Sequence, residues 1–233
     1  MDPLAGGIYQ QGYQCGMLWG SAMALGTEAY RRRDDQGEAI ALAINATKHI
    51  AESFLTKSVS TECEEITDTD MTNKWSLAKY MLTGKMFGCF NLAAKWEPDA
   101  IAAAHEGLDI ELPLNAKETK SCASEVIKKM GGTAEETVMV AGFAGGIGLR
   151  GSGCGALGAA MWKITLDLVR TGEWKYTLNS PTFDELIEKF YKASDYKMEC
   201  SEICGKTFNS VGEHTEYINS GGCNNLINAL AQS

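Results

Sequence analysis

LAGGIYQQGYQCGML at residues 4–18 returns, 139 positions later and without a gap, as FAGGIGLRGSGCGAL at residues 143–157. Eight of the fifteen positions are identical: Ala5, Gly6, Gly7, Ile8, Gly12, Cys15, Gly16 and Leu18 stand opposite Ala144, Gly145, Gly146, Ile147, Gly151, Cys154, Gly155 and Leu157. A match of that density that includes a cysteine marks a tandem duplication, and a repeat sets the architecture before any single element is assigned. The register persists downstream. Glu62-Cys63-Glu64-Glu65-Ile66 parallels Glu199-Cys200-Ser201-Glu202-Ile203, and Gly88-Cys89-Phe90-Asn91-Leu92 parallels Gly222-Cys223-Asn224-Asn225-Leu226. Successive cysteines lie 48 and 26 residues apart in the first copy and 46 and 23 in the second, a small drift in loop length.

The copies are unequal. Residues 118–233 form a complete unit with an additional cysteine, Cys122, ahead of the glycine loop; residues 1–110 form an incomplete one that starts inside its loop. The stretch from Gly107 to Lys117, with Pro113 and few helix signals, is the expected join, and the two units can share a single globular domain. Cys204 falls outside the scheme because Thr67 takes its place in the first copy; four residues after Cys200 and on the same face of a continuing helix, it is a spare ligand, a thiol partner or core, with core the first expectation.

Helical periodicity dominates. EAIALAINATKHIAESFLTK, MFGCFNLAAKW, DAIAAAHEG, SEVIKKM, TFDELIEKFYKA and CNNLINALAQ place apolar residues at i, i+3 and i+4, while strand alternation is nearly absent. Asp34-Asp35, Thr133 with Glu136, and Ser180-Pro181-Thr182 with Glu185 have the form of capped helix starts. Arg31-Arg32-Arg33 marks the end of the preceding helix. The expected fold is all-α: a helical bundle of two related halves with a pseudo-twofold.

Lys and Arg total 21 against 30 Asp and Glu, a net charge of −9, so the long-range field repels nucleic acid and anionic membrane surfaces. No apolar run reaches membrane-span length. The uncharged run from Cys15 to Gly26 has no Lys or Arg before it, so no export signal is expected and the chain is placed in the cytoplasm. Eight cysteines in a reducing compartment then point to metal binding or thiol redox chemistry rather than structural disulfides.

GSGCGALGAAM puts Cys154 at a helix start, where free N–H groups and the dipole favour a thiolate. Gly153 and Gly155 would leave room for a bulky cofactor to approach the backbone; alternatively, the Gly/Ala-rich segment is a tight helix-packing surface. Cys63 and Cys200 have acidic neighbours that raise a thiol's pKa, so neither is a free nucleophile, whereas a bound cation would reverse that penalty. Four sulfurs from separate segments suit a tetrahedral zinc, a [2Fe–2S] or a [4Fe–4S] cluster, and spacing does not choose among them. His49, His105 and His214 share no ligand spacing and are expected at the surface or at helix ends. The glycines at 146–153 lack the strand context of a dinucleotide site. Met17, Met23, Met161, Trp19 and Trp162 are expected to be core.

Cys122 in SCASEV, GCGALG at 153–158, Cys200 in ECSEI and Cys223 in GGCNNL together resemble the redox-associated C_GCAxxG_C_C family. Gly155 stands where the pattern has Ala, and the first copy keeps its final glycine, Gly20, one place later. The resemblance implies redox or iron–sulfur association without an assigned reaction, leaving an oxidoreductase activity open. It implies Cys122, Cys154, Cys200 and Cys223 as principal ligands of an iron–sulfur cluster, with zinc as the alternative. Cys15, Cys63 and Cys89 would be three ligands of a further site lacking a fourth. Absence of CxxCH excludes covalent c-type haem. The rival expectations are a metal-free thiol–disulfide protein and an all-α interaction protein with buried cysteines. The partner would be an unidentified redox protein. Apolar Met17, Leu18, Trp19 and Met23 beside an uncovered loop suggest a homodimer with the glycine turns near its interface.

Overall fold

The structure is a computed structural model that describes residues 2–175, 177 and 180–232. The first copy contributes α1 (Gly16–Arg32), α2 (Gln36–Leu55), α3 (Cys63–Thr67), α4 (Lys74–Leu82) and α5 (Met86–Leu108). The second contributes α6 (Cys122–Lys129), α7 (Ala134–Met139), α8 (Gly155–Thr171), α9 (Pro181–Ala193), α10 (Cys200–Cys204), α11 (Val211–Asn219) and α12 (Asn224–Ala231). Among the described residues there is no strand beyond two isolated antiparallel bridges, Gln14 with Glu62 and Gly153 with Glu199, at matching places in the two copies. The fold is all-α and its halves are related.

Local chemistry accounts for several of the helix boundaries. The Asp35 side chain accepts from the Glu38 N–H at the start of α2, and Thr133 and Glu136 form a reciprocal capping box on α7. The third expected cap differs: Pro181 opens α9, but no side-chain cap forms at Ser180, whose backbone instead bonds the Tyr9 hydroxyl. The two helical patterns flanking Pro98 are one continuous helix, α5. Proline removes one backbone bond to the carbonyl four residues earlier, and because Ala94 and Pro98 both face solvent, water can serve that carbonyl.

α1 lies along α2 and α2 along α5, while α8 lies against α6 and α12 bridges α6 and α9. The halves interlock where α1 meets α7 and the turn before the second glycine loop, so one continuous core draws on both copies. Trp19 sits at that junction, fully buried and edge-on to Phe143 at 4.7 Å. Gly158 of α8 makes room for it: a Cβ there would come within 2.6 Å of the indole. Leu18 and Met23 are buried alongside. The apolar segment that suggested a dimer through the glycine turns is therefore covered within the chain.

The exposed apolar side chains lie elsewhere. α4 buries none of its residues, and Trp75, Leu82, Phe87 and Phe90 are all more than 60% exposed. Among the described residues no helix is long and apolar enough to cross a membrane.

Candidate functional site

Each copy delivers a cysteine to a helix start through the same chain of left-handed turns. Gly6, Gly7, Ile8, Tyr9, Gln10 and Gly12 have φ from 53° to 81°, and Gly145, Gly146, Ile147, Gly148, Leu149 and Gly151 have φ from 57° to 82°. At Gly7 and Gly146 glycine is required twice over, for the positive φ and because a Cβ would collide with the backbone of Tyr13 or Ser152. Matching hydrogen bonds then tie each loop to the next cysteine. Cys15 N–H donates to Thr61 O at 2.8 Å and Cys63 N–H to Tyr13 O at 2.6 Å; Cys154 N–H donates to Met198 O at 3.1 Å and Cys200 N–H to Ser152 O at 2.7 Å.

In the second copy five cysteines converge. Cys154 caps α8, Cys122 opens α6, Cys200 and Cys204 begin and end α10, and Cys223 precedes α12 in a left-handed conformation with φ of 61°. The Cys204 sulfur lies 3.8 Å from Cys200 and 3.8 Å from Cys223. Cys122, Cys154 and Cys200 are buried, Cys204 and Cys223 half-buried, and all eight cysteines of the chain are free thiols. Burial pushes Cys122 up to about 11 and Cys154 up to about 12; at Cys154 the N–H groups of Leu157 and Ala156 oppose this without prevailing. The helix start thus does not make Cys154 a poised thiolate, because desolvation outweighs the dipole. Cys204 is pushed the other way, well below the ordinary thiol range, chiefly by its hydrogen bonds with Cys200, Cys223 and Tyr217. Cys200 and Cys223, as its donors, are pushed up.

Of the readings open for Cys204, the structure favours a thiol partner: it is the sulfur that Cys200 and Cys223 both contact, packed against the core. One expectation is overturned. His214 is not at the surface: it is 2% exposed, edge-on to Phe208, and its Nδ1 has no partner. Burial depresses its pKa to about 4.

The first copy assembles a smaller version. Cys15 sits at the N-cap of α1, Cys63 opens α3, and Cys89 lies in the first turn of α5, near enough for its charge to raise both Cys15 and Cys63. Burial is the larger cause, pushing Cys15 up to about 11 and Cys63 up to about 12. Thr67, in the place of Cys204, turns its hydroxyl back to the Cys63 carbonyl at 2.7 Å. Tyr80 hydroxyl lies 3.2 Å from Cys89 Sγ. Tyr80 is the seventh residue of α4 and Tyr217 the seventh of α11, so each copy sets a tyrosine from the same helix position on its own sulfurs.

Between the two groups lies Gln14, fully buried, whose Nε2 donates to Glu62 at 2.5 Å and to Glu199 at 3.3 Å. These glutamates immediately precede Cys63 and Cys200. Burial and then the charge of Glu62 push Glu199 up to about 7.

Gly153 and Gly155 are filled by the chain itself. A Cβ on Gly155 would strike the Phe143 carbonyl, and one on Gly153 the Gln14 side chain and Ile8. Among the described residues no three His, Cys, Asp or Glu side chains converge on a point from which they could hold one ion. A cluster spreads its thiolate ligands around a larger body, and five thiols from four segments are the donor type it takes.

No curated protein and no solved structure matches the chain. The family model described as "Putative redox-active protein (C_GCAxxG_C_C)" matches residues 1–96 and again residues 119–233. These matches span most of the chain and coincide with the duplicated loops and their cysteines, and the chain belongs to the C_GCAxxG_C_C family of redox-active proteins, with one copy of the unit in each half.

Proposed function

We propose that the redox centre of this protein is the five-thiol group of the second copy and that four of its thiolates, Cys122, Cys154, Cys200 and Cys223, hold an iron–sulfur cluster for electron transfer. The observation that carries this is the grouping of thiols from four segments: Cys200 and Cys223 each lie 3.8 Å from Cys204, and Cys122 and Cys154 are near enough to raise the pKa values of both Cys200 and Cys223. Thiolates from separate segments are the usual protein ligands of such clusters, and a bound cluster would supply one-electron chemistry. The chain's own residues bury the site and place Cys204, Tyr217 and His214 around it. Partial loss of the ligand set gives the test. Cys154→Ala is expected to abolish visible absorbance and iron content in anaerobically purified protein, whereas Cys15→Ala is expected to keep both; the converse result would move the centre to the first copy.

A second reading is favoured by the two 3.8 Å sulfur contacts at Cys204. A low-pKa thiol in contact with two others is arranged for dithiol–disulfide cycling without metal. Loss of disulfide exchange in Cys204→Ser, with no iron in the wild type, would select it. Eight unpaired thiols support a reducing, cytoplasmic setting. The bare apolar side chains of α4 and α5 support association, with a second copy or with a redox partner protein.

A further inference from the structure

The first copy differs from the second in two ways that bear on chemistry. It has three thiols instead of five, and Thr67 replaces the central thiol, while Tyr80 stands on Cys89 as Tyr217 stands on the sulfurs of the second copy. Its outermost sulfur is also accessible: Cys89 is half-buried and lines a cavity of about 570 Å³, while Cys15 and Cys63 lie buried behind it. Cavities of this size accept small molecules.

The cavity walls say what kind. Val59, Ile66 and Leu92 give it aliphatic surface. Its two lysines are already engaged, Lys57 with Asp99 at 2.7 Å and Lys85 with the carbonyls of Thr67 and Asp68 and with the Asp68 carboxylate. Neither is free to clamp an anion, so the site suits an uncharged, largely apolar molecule.

We propose that the first copy is a separate, cluster-free site that reduces small uncharged dialkyl disulfides, with Cys89 as the attacking thiol and the buried Cys15–Cys63 pair supplying the second sulfur. The Cys89 thiolate attacks one sulfur of R–S–S–R, forming a mixed disulfide at Cys89 and releasing R–S⁻. A thiolate from the buried pair then attacks the Cys89 sulfur, closing an internal disulfide and releasing the second R–S⁻. Two protein thiols are oxidised and one disulfide is reduced, and the two thiol protons end on the two departing thiolates. The accessible sulfur attacks first because Cys89 lines the cavity, whereas Cys15 and Cys63 are buried and do not reach it. Tyr80, 3.2 Å from Cys89 Sγ and itself raised mainly by burial, stays protonated and can donate to the sulfur while it carries charge.

This rests on the reading of the chain as a redox protein but not on the cluster, and the two fail separately. The full chain, purified without oxygen, is mixed with excess 2-hydroxyethyl disulfide, quenched with acid and mapped by peptide mass spectrometry. Iron and acid-labile sulfide are counted on the same sample, and their absence would count against the cluster alone. The expected first product is a disulfide joining the Cys89 peptide to that of Cys15 or Cys63, with two thiols released per bond formed. Cys89→Ser, at a half-buried position whose fold is checked by circular dichroism, is expected to lose this phase. A first bond confined to Cys200, Cys204 and Cys223, a mixed disulfide at Cys89 that never resolves, or a Cys89→Ser chain reacting like the wild type would each overturn the proposal.

Discussion

Gln14 and Gly153 are the same position in the two copies, and the side chain of the first occupies the space that the second leaves empty. A Cβ on Gly153 would lie 2.7 Å from Ile8 Cδ1 and would collide with the Gln14 amide, which is pinned between Glu62 and Glu199. The duplication has thus diverged into complementary halves at its centre. Gly153→Ala is expected to destabilise the protein by about 1–3 kcal/mol, the usual cost of overfilling a packed core. Adding Gln14→Ala should recover part of that loss if the two side chains compete for one space. Denaturant unfolding of the two single variants and the double variant measures this, and strict additivity would show that they do not compete.

The thiols of the second copy are expected to differ in reactivity. Cys204 is held low by its donors, while burial holds Cys122 and Cys154 near 11 and 12. In metal-free protein at about pH 6, iodoacetamide should therefore modify Cys204 ahead of Cys122 and Cys154, because the thiolate is the reacting form. Peptide mapping at short times reads the order. Equal labelling of the three would contradict the hydrogen-bonded arrangement.

His214 gives the fold an acid sensitivity. Its pKa falls from 6.5 to about 4 on burial, so the folded state prefers the neutral ring. Its contribution is fully present above the unfolded value of 6.5 and is lost as pH falls through that value toward 4. Denaturation midpoints measured from neutral pH down to about pH 4 should decline less steeply in His214→Gln than in the wild type. Parallel curves would mean that the ring is hydrated or ionised in the folded protein.

Much of the architecture was legible in the sequence because the duplication repeats chemistry as well as letters. The glycine loop had to recur as the same chain of left-handed turns, and Asp35 and the Thr133–Glu136 pair announce helix starts through side-chain geometry alone. What escaped depends on neighbours in space. MFGCFNLAAKW and DAIAAAHEG read as separate helical patterns on either side of Pro98, and its solvent-facing position lets α5 run through it. Tyr80 lies nine residues before Cys89 but Tyr217 only six before Cys223, so their equivalence is hidden in the sequence and appears only as a shared helix position. Cys204 has no cysteine counterpart, and although Cys200 stands one turn away on the same helix, nothing local reveals that Cys223 brings a further sulfur to it. The glycines flanking Cys154 carried an ambiguous signal, since room for a cofactor and room for a neighbouring chain demand the same residue.

The bare apolar side chains of Trp75, Leu82, Phe87 and Phe90 lead us to expect association through α4 and α5 rather than through the glycine turns. Light scattering at micromolar concentration should give a dimer mass. A monomer with its cofactor retained would leave that surface to another partner.

The central claim is that the thiols of the second copy hold an iron–sulfur cluster. Iron, acid-labile sulfide and the ultraviolet–visible spectrum of wild-type protein, purified and kept without oxygen, test it most directly. Iron and sulfide are expected together on the protein, with a broad visible absorbance. Metal-free, fully folded protein with all eight thiols titratable would contradict it.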